Sequence, residues 1–166
     1  AMDCARSSVR FGAESVSIVY RRRKSDMTAL KEEVEGAEAE GCDVMELISP
    51  VKIEKDENGK VKGLWVQPQM ISVVKRGRPA PKNANKEMQF IPCEMIQVAI
   101  GQDIESDYFE KVGIPVKWGQ LMADTACEIP GMEGVFSGGD CVSGPATVIK
   151  AIAAGKVAAA NIDEYL

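Results

Sequence analysis

The sequence predicts an α/β fold in which helices alternate with strands of a parallel sheet and an antiparallel excursion interrupts them. Three observations carry this reading. Near the start, apolar residues at helical spacing give way to a short β-branched run; the middle alternates apolar and polar residues around an Asn-Gly pair; and the stretch from Val135 to Ile162, "VFSGGDCVSGPATVIKAIAAGKVAAANI", runs from an apolar strand into a long helix of small residues. Alternation of this kind is what a layered α/β sheet requires.

Met2, Ala5, Val9 and Phe11 recur at near-helical spacing, and Gly12 is placed to end that helix. Ser15 to Tyr20, "SVSIVY", reads as a strand, and the basic turn "RRRKSD" follows it. From Thr28 to Gly41, "TALKEEVEGAEAEG" is rich in helix formers and stops at glycine. Thr28 is the expected cap, with Lys31 rather than an acid at the reciprocal position.

Residues 44 to 76 predict an antiparallel meander, with Asn58-Gly59 as a two-residue hairpin turn. "GRPAPKNANKE" is polar and proline-bearing and predicts an exposed loop, "MQFIP" a strand, and "EMIQVAIG" a second strand apolar enough to be buried. "ESDYFEKVG" reads as a short helix, and "IPVKWGQLMADTACEIPGMEG" as loop and short strands leading to the Gly138-Gly139-Asp140 break.

Composition narrows the function. A chain of 166 residues, 45% hydrophobic and 27% charged, suits one globular domain or two incomplete ones and can bury a core. Net charge of −5 gives no bulk attraction to nucleic acid or anionic membrane, so neither is expected as a partner. With no long apolar run and no signal-peptide layout, a cytoplasmic location is expected. The five cysteines are widely spaced without a C-x-x-C, which argues against a disulfide framework, a zinc site or a dithiol centre and for reduced thiols that pack as small hydrophobes. There is no histidine, so the commonest general base and metal ligand is absent.

In an open α/β sheet the ligand lies beyond the carboxyl ends of the strands, which directs attention to the residues after Tyr20, Ile100 and Phe136. After Tyr20 come Arg21, Arg22, Arg23 and Lys24. Guanidinium forks grip phosphate at two points, and this strand end is where an adenosine ribose arrives; an acid there favours NAD, arginines favour NADP. A solvated cationic turn is the competing reading. Gly101 and Gln102, after Ile100, suit either close approach of a dinucleotide or a plain turn. After Phe136, Gly138 and Gly139 permit close backbone approach, and Asp140 can accept hydrogen bonds from sugar-like hydroxyls or merely cap a turn. Gly144-Pro145-Ala146-Thr147 then opens a helix whose free amides and dipole can face a carbonyl or an anion.

Taken together, "VFSGGD…GPATVIKAIAAGKVAAANIDEYL" resembles the C-terminal flavin-binding signature of the pyridine-nucleotide flavoprotein reductases, in the branch typified by the small (beta) subunit of NADPH-dependent glutamate synthase. "IVYRRRKSDMTALKEEVEGAEAEG" matches that branch's "VYRR" strand end and the helix after it, Ala99 to Gln102 match its "AIGQ", and "AMDCARSS" matches the helix that follows its glycine loop. The resemblance implies an incomplete, three-layer, Rossmann-like FAD/NAD(P)-binding fold. It implies an NADPH-binding part over residues 1–100, lacking its first strand and glycine loop, and a C-terminal segment of the FAD-binding part over residues 101–166. The chain is thus expected to be a C-terminal fragment.

The resemblance further implies that Arg21 and Arg22 bind the 2′-phosphate of NADPH and that Glu33 lies near the nicotinamide ribose. Gly101 sits at the "AIGQ" strand end, against the dinucleotide; Gly139 and Asp140 hold the flavin ribityl and pyrophosphate; Thr147, Val148 and Ile149 offer helix-start amides to the isoalloxazine. No catalytic side chain and no metal ligand is implied, because the two cofactors, NADPH and FAD, carry the chemistry of the intact enzyme. The implied partner there is the glutamate synthase large subunit or another electron acceptor. The chain by itself is expected to bind neither cofactor tightly and to form a homo-oligomer. A non-catalytic module remains the alternative, as does part of a ferredoxin–NADP transhydrogenase or a dihydropyrimidine dehydrogenase-like enzyme. The chain departs from the family pattern at Met27-Thr28, where proline usually follows the methionine, and in its third arginine, Arg23.

Overall fold

A computed structural model describes residues 1–75 and 78–166. Arg76, the last residue of the expected meander, and Gly77, the first of the expected loop, lie outside the described residues. The chain divides into two compact units, Ala1–Ile100 and Gly101–Leu166.

In the first unit, helix α1 spans Met2–Arg10 and helix α2 Lys31–Ala39. Both end in the same way. The Gly12 N–H reaches the Val9 carbonyl and the Ala13 N–H that of Ser8; the Gly41 N–H reaches Glu38 and the Cys42 N–H Ala37. This two-bond closure needs a left-handed residue after the last turn, and Gly12 (φ 91°) and Gly41 (φ 95°) provide it without a Cβ penalty. The start of α2 differs from expectation. Leu30, not Thr28, occupies the cap, and the reciprocal acceptor is Glu33, whose Oε2 receives the Leu30 N–H at 3.3 Å.

Strand β1 (Ser17–Tyr20) pairs in parallel with β2 (Asp43–Glu46), Ser17 opposite Asp43 and Tyr20 opposite Glu46. This corrects the expected meander, which begins at Ile48 rather than residue 44. Strands β3 (Ile48–Lys55), β4 (Val61–Lys75), β5 (Arg78–Asn83) and β6 (Gln89–Pro92) form an antiparallel sheet in which β3, β5 and β6 all pair with β4. The predicted loop over 77–87 therefore contains a strand. Residues 94–100 carry none, against expectation: no ladder forms there, and Val98 and Ile100 are 76% and 93% exposed. The β3–β4 hairpin is present, but its loop is longer than two residues. The Asp56 carboxylate accepts the N–H groups of Asn58 and Lys60, each at 2.9 Å, and only Gly59 has positive φ, whereas the expected turn needs it at both central residues.

These elements stack in three layers. Ile18 of β1 points to a cluster of Met2, Ala5, Val34, Ala37 and Cys42 beneath the helices, while Val19 and Met45 point to Ile48, Leu64 and Val66 on the antiparallel sheet. Period-two alternation along β1 thus places the parallel pair between helices and sheet.

The second unit has helix α3 (Asp107–Lys111), a hairpin of β7 (Val116–Lys117) and β8 (Gln120–Leu121), a single turn α4 (Asp140–Ser143) and the long helix α5 (Val148–Tyr165). The apolar strand expected before Gly138 is reduced to one bridge, Glu128 with Phe136. Among the described residues no helix is long and apolar enough to cross a membrane, and no group of three or more acidic or thiol side chains is placed to hold a metal ion.

Candidate functional site

Parallel pairing ends at Tyr20 and Glu46, and the chain after Tyr20 closes into a short 3₁₀ turn, Lys24–Asp26. The turn is fixed by its own side chains. Tyr20 Oη donates to the Asp26 carbonyl at 3.1 Å, the Lys24 N–H donates to Glu46 Oε2 at 2.6 Å, and Arg23 grips the Asp26 carboxylate at 2.9 and 3.0 Å. The Arg23 guanidinium holds the Asp26 carboxyl below its ordinary range, and its own ionisation is raised in return. Lys24 Nζ reaches Glu38 of α2 at 2.8 Å, and that carboxylate raises the lysine pKa.

The four cations are therefore not equivalent. Arg23 and Lys24 are neutralised by Asp26 and Glu38. Arg21 is exposed and has no hydrogen bond or ion pair among the described residues. Arg22 is half-buried and, among the described residues, commits only Nε, which donates to the Pro79 carbonyl of β5 at 2.7 Å. Arg21 and both terminal nitrogens of Arg22 thus keep donors available for an anion beyond β1. Arg78, in the segment read from sequence as a loop, is carried to the same place: its Nη2 lies 3.2 Å from the Asp26 carbonyl and 3.4 Å from Tyr20 Oη. Sequence reasoning missed it, because its arrival depends on the β4–β5 register.

Of the other predicted residues in this unit, Glu33 serves the start of α2, and no hydrogen bond joins it to the arginine turn among the described residues.

In the second unit Gly101 has φ 117° and open space where a Cβ would stand. Gly139 (φ 72°) precedes Asp140, the exposed first residue of α4. A Cβ on Gly139 would sit 3.8 Å from Ala151, and one on Gly138 3.5 Å from Ala154. The small residues of α5 thus let the Gly138-Gly139 backbone lie directly on the helix. The fold brings Gly139 within one turn of the α5 start, where the Ala151 N–H closes onto the Thr147 carbonyl. Thr147 caps this end without a side-chain hydrogen bond, and Val148 and Ile149 are 75% and 80% exposed. Two concavities, one along Ser8–Ala13 with Met95 and Gln97 and one along Asp124–Glu133, include none of the predicted residues.

The parallel pair, backed by helices and faced by an antiparallel sheet, is part of a Rossmann-like FAD/NAD(P)-binding fold. The thioredoxin reductase of T. acidophilum has this fold, matching with a TM-score of 0.80 at 16% identity over 98% of this chain and 48% of that one. Residues 1–155 match the pyridine nucleotide-disulphide oxidoreductase family, and the chain belongs to it. It is 38% identical to the NADP(+)-dependent formate dehydrogenase subunit beta of Moorella thermoacetica and 32% identical to the glutamate synthase [NADPH] small chain of Escherichia coli (strain K12), in both cases over 100% of the present chain. It spans 24% and 36% of those two proteins.

Proposed function

We propose that this chain supplies the NADPH-selecting turn and one flavin-contacting segment of a larger flavoprotein of the glutamate synthase small-subunit type. The observation that carries the reading is the division of labour after β1: Arg23 and Lys24 are tied to carboxylates, and Arg21 and Arg22 are left with free donors. Those donors fit a dianionic 2′-phosphate, for which the guanidinium fork is matched in charge and geometry. At Gly139 and Asp140 a bare backbone and an exposed carboxylate fit a ribityl chain and the approach of a pyrophosphate, and the uncapped amides at Thr147, Val148 and Ile149 fit an electron-rich ring edge. Gly101 offers a backbone without side chain at the start of the second unit, and Glu33 stands at the first turn of α2 for the nicotinamide ribose.

When bound, NADPH supplies a hydride and FAD accepts it. The residues of the chain bind and orient; none is asked to move a proton. Residues 1–100 would form the NADPH part and residues 101–166 the flavin-facing part, and electrons would leave to a partner subunit. The relatives named as subunits of glutamate synthase and formate dehydrogenase support that last step. The test is anaerobic bleaching at 450 nm in a full-length flavoprotein carrying this chain. NADPH should bleach the flavin well before NADH at equal concentration, and equal rates would refute the reading.

A further inference from the structure

We propose that Arg78, contributed by β5, is the third cation of the 2′-phosphate site, so that the antiparallel excursion takes part in choosing NADPH over NADH. The inference rests on the reading of Arg21 and Arg22 given above. Two independent ties bring the start of β5 to the end of β1: the Arg22–Pro79 bond at 2.7 Å, and the Arg78 contacts to the Asp26 carbonyl and the Tyr20 hydroxyl at 3.2 and 3.4 Å. The acceptors on Arg78 among the described residues are neutral. The nearby Asp26 carboxylate is occupied by Arg23, and Arg78 has no carboxylate partner among the described residues. Its positive charge is thus delivered to the arginine turn and left uncompensated, while its contacts are at the long end of hydrogen-bond range. A brace between strands needs no charge at this point; a phosphate dianion needs more than one guanidinium to match it.

The experiment uses the 166-residue chain. Amide shifts are followed by NMR on titration with 2′,5′-ADP and, separately, 5′-AMP, which differ only in the 2′-phosphate. The unmodified chain should prefer 2′,5′-ADP. Arg78→Met, which keeps the aliphatic stem, should weaken 2′,5′-ADP about tenfold, the loss of one charge-assisted contact, and leave 5′-AMP within about twofold. Arg78→Lys should fall between. If Arg78→Met disturbs the fold, its spectrum will show it, and the lysine variant then carries the test alone, with a loss confined to 2′,5′-ADP expected. If Arg21→Ala abolishes the preference while the Arg78 variants keep it, or if the Arg78 variants weaken both nucleotides equally, the role of Arg78 is refuted and the reading of Arg21 stands. If the unmodified chain shows no preference, both fall.

Discussion

Arg22 Nε donates to the backbone carbonyl of Pro79 at 2.7 Å, joining residues 57 positions apart. One nitrogen of the guanidinium thus holds the edge of the antiparallel sheet, while the other two have no hydrogen-bond partner among the described residues. Arg21 has no such tie among the described residues. Replacing both, Arg21→Ala with Arg22→Ala, in a full-length flavoprotein carrying this chain should weaken NADPH more than NADH, by about 1.5–3 kcal/mol for each lost phosphate contact. Dissociation constants for the two nucleotides measure this directly, and parallel losses would remove the 2′-phosphate from the turn.

Glu40 accepts Arg10 at 2.7 Å and Arg6 at 2.6 Å, and these two guanidinium groups, Arg10 foremost, draw its pKa down to about 2. A carboxylate whose folded pKa lies below its unfolded one contributes stability above the unfolded value, near 4.3, and loses that contribution as pH falls toward the folded value. Glu40→Gln should therefore melt lower than the unmodified chain at pH 6 to 7. The gap should close between about pH 4.5 and pH 2. Melting curves across this range that run parallel would show that the ion pair adds nothing.

Phe11, Val98, Ile100 and Trp118 are large apolar side chains left exposed, and the parallel sheet of the first unit is two strands wide. Unpaired strand edges and apolar surface are templates for association. The chain is expected to form a dimer or larger assembly, and sedimentation at roughly 100 μM, where an association of about −5.5 kcal/mol still registers, decides it. A strictly monomeric profile would overturn the expectation.

The purified chain should be colourless. Gly139, Asp140 and the start of α5 offer flavin a backbone, a carboxylate and a few amides, but Val148 and Ile149 around them are open to solvent. A ligand held by so few contacts still loses its translational freedom, at a cost of at least about 4 kcal/mol. Affinity for FAD should be millimolar or weaker. Flavin absorbance near 450 nm that survives mixing with FAD and desalting would contradict this.

Much of the first unit was legible because local rules decide it: the glycines that close α1 and α2, the β-branched run of β1 and the place of the β3–β4 hairpin, though not its two-residue turn, all act within a few residues. The rest depends on partners distant in the chain. Pro79 and Pro81 argued for a loop, yet an edge strand such as β5 leaves alternate backbone positions outside the ladder, where a missing N–H costs nothing. Residues 94–100 had the composition of a buried strand, but a strand exists only against a neighbour, and none pairs there among the described residues. The arginine turn could be located from sequence, whereas which of its cations are engaged could not. Glu38 and Asp26 settle that, and they are ordinary acids until the chain has folded. Arg78 was invisible for the same reason.

Strand β4 pairs with three other strands, and from Gly63 to Val66 it has neighbours on both edges, β3 and β6. Each backbone amide in this stretch faces one ladder or the other, around the fully buried Val66, so the stretch as a whole is freed only when both ladders open. Deuterium should therefore enter β4 last within the first unit, making this stretch the slow clock against which the opening of the arginine turn is timed.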